Sequence, residues 1–177
     1  MLFLEAMACC TEITYVEDKL MGDPLDVKMF EATGWIMDES REVSENDIVL
    51  CTMYPKDSGK MGKEDYANSN SSGTVPSMPR SSSMSESDDI NDVRNPRLRR
   101  YKSDLMRRFE FSSSLQRMSV ICKNMFDNKY RAFVKGSPEK ISELCKPETL
   151  PTDFQFELEK NTKEGYRVIA LATKELV

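Results

Sequence analysis

The hydrophobic pattern of this sequence stops near residue 55 and resumes only after about residue 98. The tract between them is rich in serine, asparagine, aspartate and lysine, and residues 81–89 are almost all serine or acidic. A segment with so little apolar surface cannot offset its loss of chain entropy, so this composition predicts disorder. The patterned segments on either side must then build one core together. We expect a single domain over residues 1–177, with a disordered insertion at residues 55–98.

Before the insertion, apolar runs and capping residues predict two helices. The first covers residues 2–10. The second begins after the N-cap Asp23, has Pro24 at its first position and ends at Gly34. Strand composition follows at residues 35–37 and 47–54.

After the insertion, the sequence predicts four strands and two further helices. The strands fall at residues 106–111, 117–123, 130–134 and 166–173. One helix covers 138–145 and is capped by Ser137, and the other covers 153–164, where Thr152 and Gln155 have capping-box spacing. Strands in local hairpins, with helices before and after them, favour an α+β fold in which helices flank an antiparallel sheet.

Composition narrows the function classes. The net charge of −5 argues against a general nucleic-acid binder. The chain has no histidine, and its five cysteines lack C-x-x-C spacing. The sequence therefore predicts neither a disulfide framework nor a zinc site, and it favours a reducing compartment. The apolar opening at residues 2–10 is too short to span a bilayer, so we expect a soluble domain.

Two polar segments keep alternative interpretations open. The arginine stripe from Arg94 to Arg108 is typical of a solvated approach to a strand, and docking to an acidic surface or to lipid headgroups is the alternative. Ser83, Ser85 and Ser87 lie beside charged residues that suit phosphorylation, whereas an inert surface loop is the plainer interpretation.

Residues 135–139, Lys-Gly-Ser-Pro-Glu, form the most informative local motif. They follow an apolar strand and place Lys135 at the mouth of a predicted strand-to-helix turn. Gly136 lets a ligand approach the backbone closely, and N–H groups at the start of a helix can bind a phosphate. An ordinary strand-to-helix connection with a solvated lysine fits the same residues.

Three further segments join this motif in a family resemblance. They are residues 22–26 (Gly-Asp-Pro-Leu-Asp), residues 109–120 (Phe-Glu-Phe-Ser through Met-Ser-Val) and residues 165–172 (Gly-Tyr-Arg through Ala-Leu-Ala). In this order the four motifs resemble the nucleotide-binding domain of P-type ATPases. The sequences of these motifs are most similar to those of the class 13A branch, the polyamine and cation transporters.

The resemblance implies an ATP site and assigns its base-binding end. Phe111 stands where the family stacks the adenine ring, an interaction worth about 1–3 kcal/mol, and Phe109 is its competitor. Phe109 lies two residues earlier and is expected on the same face of the strand. Asp26 matches the acidic residue near the adenine amino group, although a carboxylate in the first turn of a helix needs no ligand to explain it.

The same resemblance assigns the phosphate end. Lys135 matches the lysine at the rear of the adenine pocket, close to the base and ribose, and it can also contribute to the field on the phosphates. Gly136 would permit close approach of the backbone. Arg167 matches an arginine that reaches them, because a guanidinium can bind two oxygens at once. Many members carry an arginine and a lysine where this chain has Ser113 and Gln116. Gln116 is the remaining candidate contact at that corner, and weak ATP affinity is expected.

The function implied is to hold ATP, with Mg²⁺ bound to its phosphates. The γ-phosphate would pass to an aspartate of a phosphorylation domain that this sequence does not contain, so no residue here is assigned as catalytic or as a metal ligand. The expected partners are the phosphorylation and actuator domains of the same parent. That parent is expected to be a multi-pass transport ATPase of endosomes or lysosomes, with this domain a monomer on its cytosolic face. The rival is a non-catalytic docking module controlled by phosphorylation of the serine-rich insertion.

Overall fold

The computed structural model of the protein describes residues 2–39, 49–56 and 101–176. The described helices are α1 (Leu2–Cys9), α2 (Pro24–Thr33), α3 (Pro138–Ser142) and α4 (Phe154–Lys163), with a 3-10 turn at Pro147–Thr149. The described strands are β1 (Ile13–Val16), β2 (Lys19–Gly22), β3 (Trp35–Asp38), β4 (Cys51–Pro55), β5 (Ser103–Ser112), β6 (Arg117–Asn124), β7 (Tyr130–Gly136) and β8 (Ala170–Leu176).

Strands β3 to β8 form one antiparallel sheet in which each strand pairs with the next along the chain. This confirms the α+β fold predicted from the sequence, an antiparallel sheet flanked by helices. The predicted insertion at 55–98 lies outside the described residues apart from its first two. Pro55 is the last residue of β4, so regular structure reaches one residue further than expected.

One face of the sheet forms the core. Alternation along β6 buries Met118, Val120 and Cys122, and these side chains join a single apolar cluster with residues of α1. α2 packs beside α1. A hydrogen bond with Cys122, together with burial, raises the pKa of Cys9 well above its usual value, so this cysteine is a packed thiol.

Helix α2 begins and ends where the sequence predicts. The Asp23 side chain accepts a hydrogen bond from Leu25 N at 2.9 Å, and Pro24 opens the helix. Gly34 ends it in the left-handed region, with φ of 66°. These caps satisfy backbone groups that would otherwise lack partners, which is why local sequence predicts them.

The hairpin formed by β1 and β2 was missed. Its two central residues, Glu17 and Asp18, both have positive φ, at 49° and 60°. Tight hairpin turns of this kind are usually marked by glycine or asparagine. Without that marker, the sequence Ile-Thr-Tyr-Val of β1 was the only available indication of a strand.

Three boundaries predicted in the last third of the chain need correction. α3 ends at Ser142 rather than near residue 145, although Ser137 caps it by accepting from Lys140 N. The capping box at Thr152 is wrong, since α4 has Asp153 as its N-cap with no side-chain cap and Gln155 instead bonds Glu159. β8 begins at Ala170, not at residue 166, and continues to Leu176.

The arginine stripe reaches the described residues only at its end, in β5. Arg107 is exposed, as expected for a solvated side chain, and lies over the ring of Phe109 with 4.8 Å to the centroid. Arg108 is different, because it pairs with the buried Val120 and so points to the core face. Its Nε is buried with no hydrogen-bond partner among the described residues.

Candidate functional site

The register of the sheet brings separate sequence motifs to one edge. Ser112 pairs with Arg117, Arg117 with Gly136, and Gly136 with Ala170. The end of β5, the start of β6, the end of β7 and the start of β8 therefore meet. This arrangement places three of the predicted site residues at or beside the same edge: Phe111, Gln116 and Gly136. Arg167 lies in the segment that leads into β8 at Ala170.

Lys135 lies inside β7, not at an open strand-to-helix turn. It pairs with Met118 on one side and Leu171 on the other, and only 7% of it is exposed. Alternation from the fully buried Phe133 turns it toward the core. A solvated lysine is thereby excluded, and a buried ammonium requires a partner.

That partner is Asp26, in the first turn of α2. Lys135 Nζ donates to Asp26 Oδ1, and Asp26 is itself only 5% exposed. The sequence predicts both residues at one site, but it does not predict that they form an ion pair with each other. The field of the lysine is therefore largely neutralised within the protein.

Cys10 lies close to this ion pair, and the charges of the pair act on its thiol. Burial raises the pKa of its thiol to about 12, while the nearby charges of Lys135 and Arg108 act in the opposite direction. The thiol is therefore protonated at neutral pH and donates to the carbonyl of Phe133 at 3.9 Å. Cys10 is a packing residue beside the ion pair.

Glu12 connects the ion pair to Phe111. Its backbone N–H donates to Asp26 Oδ2 at 2.8 Å, and its carboxylate accepts from Phe111 N at 2.6 Å. Phe111 itself is 54% exposed, which leaves its ring accessible to a ligand. Glu12 is the residue that sequence reasoning missed, because it belongs to no recognised motif and lies 99 positions from Phe111 in the chain.

The sheet distinguishes Phe111 from its competitor. The register between β5 and β6 shifts between Phe109 and Ser112, so a spacing of two residues no longer guarantees that both phenylalanines share a face. Phe109 pairs with Ser119, on the face opposite the core, and Arg107 already covers its ring. Phe111 has no residue opposite it in the register of β6.

Gly136 is required by a close contact within the protein. A Cβ atom at this position would lie 2.3 Å from the backbone oxygen of Gln116 and 2.8 Å from Arg117 Cβ. The same Gln116 oxygen accepts from Ser137 N at 3.1 Å. The sequence predicted that Gly136 lets a ligand approach the backbone closely. Among the described residues, the group that approaches it closely is instead the turn before β6.

Gln116 and Arg167 differ from the buried pair in being exposed. Gln116 adopts a φ of 51°, as the last residue of its turn. Arg167 precedes β8, and its guanidinium makes no hydrogen bond or ion pair with any other described residue. Its side chain therefore faces solvent in the segment before Ala170.

Comparison with known proteins identifies the family. The family model for the cytoplasmic domain N of P-type ATPases matches residues 84–177. Human polyamine-transporting ATPase 13A3 is 40% identical over 98% of this chain, and human polyamine-transporting ATPase 13A2 is 35% identical over 98%. The vacuolar cation-transporting ATPase YPK9 of Saccharomyces cerevisiae is 38% identical, also over 98%.

The chain belongs to the P-type ATPases, as a domain N of the class 13A branch. It spans 13%, 12% and 11% of the lengths of these three relatives. No helix among the described residues of this domain N has the length and apolarity needed to cross a membrane.

The domain also has a groove of about 480 Å³ between α3, α4 and β8. Its lining is mainly apolar and includes Ile141, Leu150, Phe154 and Leu158. None of the predicted site residues lines it. The groove nevertheless adjoins the edge where the motifs of domain N converge, because Pro138 and Ala170 belong to its lining.

Proposed function

We propose that this domain N binds ATP at the edge defined by Phe111, Gly136 and Arg167. The observation that supports it is that three distant motifs meet at this edge and the fourth is joined to them by the Asp26–Lys135 ion pair. Glu12 links that buried pair to the exposed ring of Phe111. Stacking on such a ring stabilises a base by about 1–3 kcal/mol. The exposed Arg167 has the fork of donors that suits phosphate oxygens.

Within this site, Lys135 and Asp26 support the base-binding end. Because both are buried and paired, we assign them to holding Glu12 and Phe111 in place, with Lys135 adding only a partly neutralised field at the phosphates. Gln116 offers an exposed amide where many relatives in the family have a lysine. A single exposed arginine with an amide implies an affinity in the micromolar to millimolar range.

Magnesium is proposed to arrive with the phosphates of ATP. No group of three or more Cys, Asp and Glu side chains among the described residues converges as a metal site. Phosphate oxygens and water complete the coordination that Mg²⁺ prefers. The described residues would bind the nucleotide, and the triphosphate would coordinate the Mg²⁺ ion.

The wider function is that of the parent transporter. We propose that the γ-phosphate is presented to an aspartate of a phosphorylation domain outside this chain, with an actuator domain completing the cycle. The names of the relatives, polyamine-transporting and cation-transporting ATPases, support a parent that hydrolyses ATP to move such a substrate. An endosomal or lysosomal membrane and a monomeric domain at its cytosolic face complete the proposal.

A titration of the amide signals with ATP and magnesium tests nucleotide binding. Saturable shifts are expected around Phe111, Gly136 and Arg167, with little change at the turn between β6 and β7. A protein that stays folded and shows no saturable shift would contradict the proposal. Shifts centred on Arg107 and Arg108 that vanish steeply with salt would instead indicate a polyanion surface.

Turnover is the second test. Every residue assigned here positions the nucleotide, and none accepts a phosphoryl group, so phosphate release by the isolated chain should stay at background with saturating ATP and magnesium. Phosphate release that disappears in Arg167→Ala would show that the chain is an enzyme in its own right.

The second candidate is a domain that has lost nucleotide binding and acts as a docking module. The features that favour it are Ser113 and Gln116 in place of cationic residues, together with the neutralised Lys135. Phosphorylation of the serine-rich insertion would then control docking. The titration separates the two candidates, because a docking module gives no saturable ATP shifts.

A further inference from the structure

Glu12 occupies a position that no motif or family assignment explains. It lies between α1 and β1, and it is half-buried. Its side chain and its backbone have different partners, Phe111 N at 2.6 Å and Asp26 Oδ2 at 2.8 Å. One residue thus contacts both the exposed ring's strand and the buried ion pair.

The irregularity in β5 explains why Phe111 needs such a contact. Phe111 falls within the register shift between Phe109 and Ser112, where residues of β5 outnumber those of β6. A bulged residue is not held by the regular ladder, so its orientation depends on other contacts. A carboxylate that accepts from a backbone N–H gives a hydrogen bond about twice as strong as a neutral one.

The other end of Glu12 is equally constrained. Asp26 cannot move freely, because its second oxygen binds Lys135 inside the core. The Glu12 backbone is therefore attached to a buried, charge-paired residue, and its side chain transmits that rigidity to Phe111.

We propose that Glu12 is a positioning residue for the base-binding ring of Phe111. This inference rests on the proposed ATP function and names the residue that orients its aromatic contact. A preorganised ring avoids the ordering that a mobile ring would undergo on binding. The role predicts that Glu12 affects recognition of the base and leaves recognition of the phosphates unchanged.

The contact itself can be tested without nucleotide in the full 177-residue chain. The Phe111 amide proton should lie far downfield, as expected for a short bond to a carboxylate. It should move far upfield in Glu12→Ala and only part of that distance in Glu12→Gln, whose neutral amide oxygen can still accept. Glu39→Ala is the control. It removes a different carboxylate, which accepts a hydrogen bond from Tyr15 N in β1, and it should leave the Phe111 signal unchanged.

Binding then separates positioning from a general structural role. Glu12→Ala should raise the ATP dissociation constant by about tenfold, whereas Glu12→Gln and Glu39→Ala should change it by less than about threefold. The dissociation constant of inorganic tripolyphosphate should change by less than about twofold in all three. In a Phe111→Ala background, Glu12→Ala should have almost no further effect on ATP, because the ring it orients is gone.

The outcomes distinguish this inference from the proposed function. ATP binding by the parent that is indifferent to Glu12→Ala overturns the positioning role and leaves the ATP site intact. Equal loss of ATP and tripolyphosphate binding overturns it too, since a structural defect would act on both ligands. Absence of ATP binding by the folded parent overturns both proposals, even if the amide signal confirms the contact.

Discussion

The buried half and the exposed half of the candidate site are built on different principles. Asp26 and Lys135 are 5% and 7% exposed and neutralise each other, whereas Phe111 is 54% exposed and Arg167 has no partner in the described part of the chain. Family resemblance groups all four as nucleotide contacts. The structure separates a buried ion pair from two exposed side chains, so substitutions in the two halves should have opposite effects on stability and on ATP binding.

The largest effect is expected from breaking the buried pair. Lys135→Met leaves the Asp26 carboxylate buried without its cation, and about 3–5 kcal/mol of unfolding free energy should be lost. Adding Asp26→Asn should recover most of it, because the uncompensated charge is gone and Asn still accepts from Glu12 N–H. Chemical denaturation with both variants measures this.

Lys140→Met is the matched control for that comparison. Lys140, on α3, forms an ion pair with Glu143 just after the helix, and both side chains are exposed. Loss of this ion pair should change the free energy of unfolding by less than about 1 kcal/mol. If Lys135→Met lowers the free energy of unfolding no more than this control does, the buried ion pair does not stabilise the site.

Gly136→Ala should give the next largest loss of stability. The added Cβ would lie 2.3 Å from the Gln116 oxygen, so the turn before β6 must move. Overpacking of this kind costs about 1–3 kcal/mol. Denaturation measures the loss, and a displaced Ser137 amide signal would locate it. Unchanged stability with an unmoved Ser137 signal would contradict the close contact.

Phe111→Ala should affect the ligand and hardly affect the fold. Because the ring is exposed, the free energy of unfolding should change by about 0.5 kcal/mol or less. ATP binding should weaken by about 1–3 kcal/mol. Phe109→Ala is the control, since its ring is already covered by Arg107 and should not contact the base. The reverse result, with Phe109 sensitive and Phe111 not, would move the base to the other phenylalanine.

The smallest effect is expected at Arg167. Arg167→Ala should weaken ATP binding by about 1 kcal/mol, with stability unchanged and a shallower dependence of affinity on salt. Lys174→Ala removes the same charge toward the other end of β8, where it pairs with Ala132, and should leave both properties alone. Equal effects of the two substitutions would mean that only the overall charge matters.

Local sequence determined much of the framework of this protein. Asp23, Gly34 and Ser137 cap helices through contacts only a few residues away, and these predictions were confirmed. Alternating apolar residues predicted β6 and most of β5 and β7. Such features are readable because the sequence neighbours that decide them are also the spatial neighbours.

Local reasoning failed where a stronger distant contact or an atypical turn decided the outcome. Glu17 and Asp18 form a tight hairpin turn although neither is a usual residue for it. Pairing of β1 with β2 offsets the free-energy cost of placing these two residues at positive φ. Residues 166–169 have the composition of a strand but do not form one. β8 begins where Ala170 meets Gly136, the last residue of β7.

The sequence by itself also determined the family and predicted most members of the candidate site, since each of the four motifs is an unbroken segment and they follow one another in the family's order. Only the tertiary structure decided how those members relate. Lys135 meets Asp26 across 109 positions, and Glu12 meets Phe111 across 99. Neither contact leaves a periodic or local pattern, because each depends on which face a strand turns to the core. Burial then forces the lysine to pair within the protein, and the exposed ring is left to face a ligand.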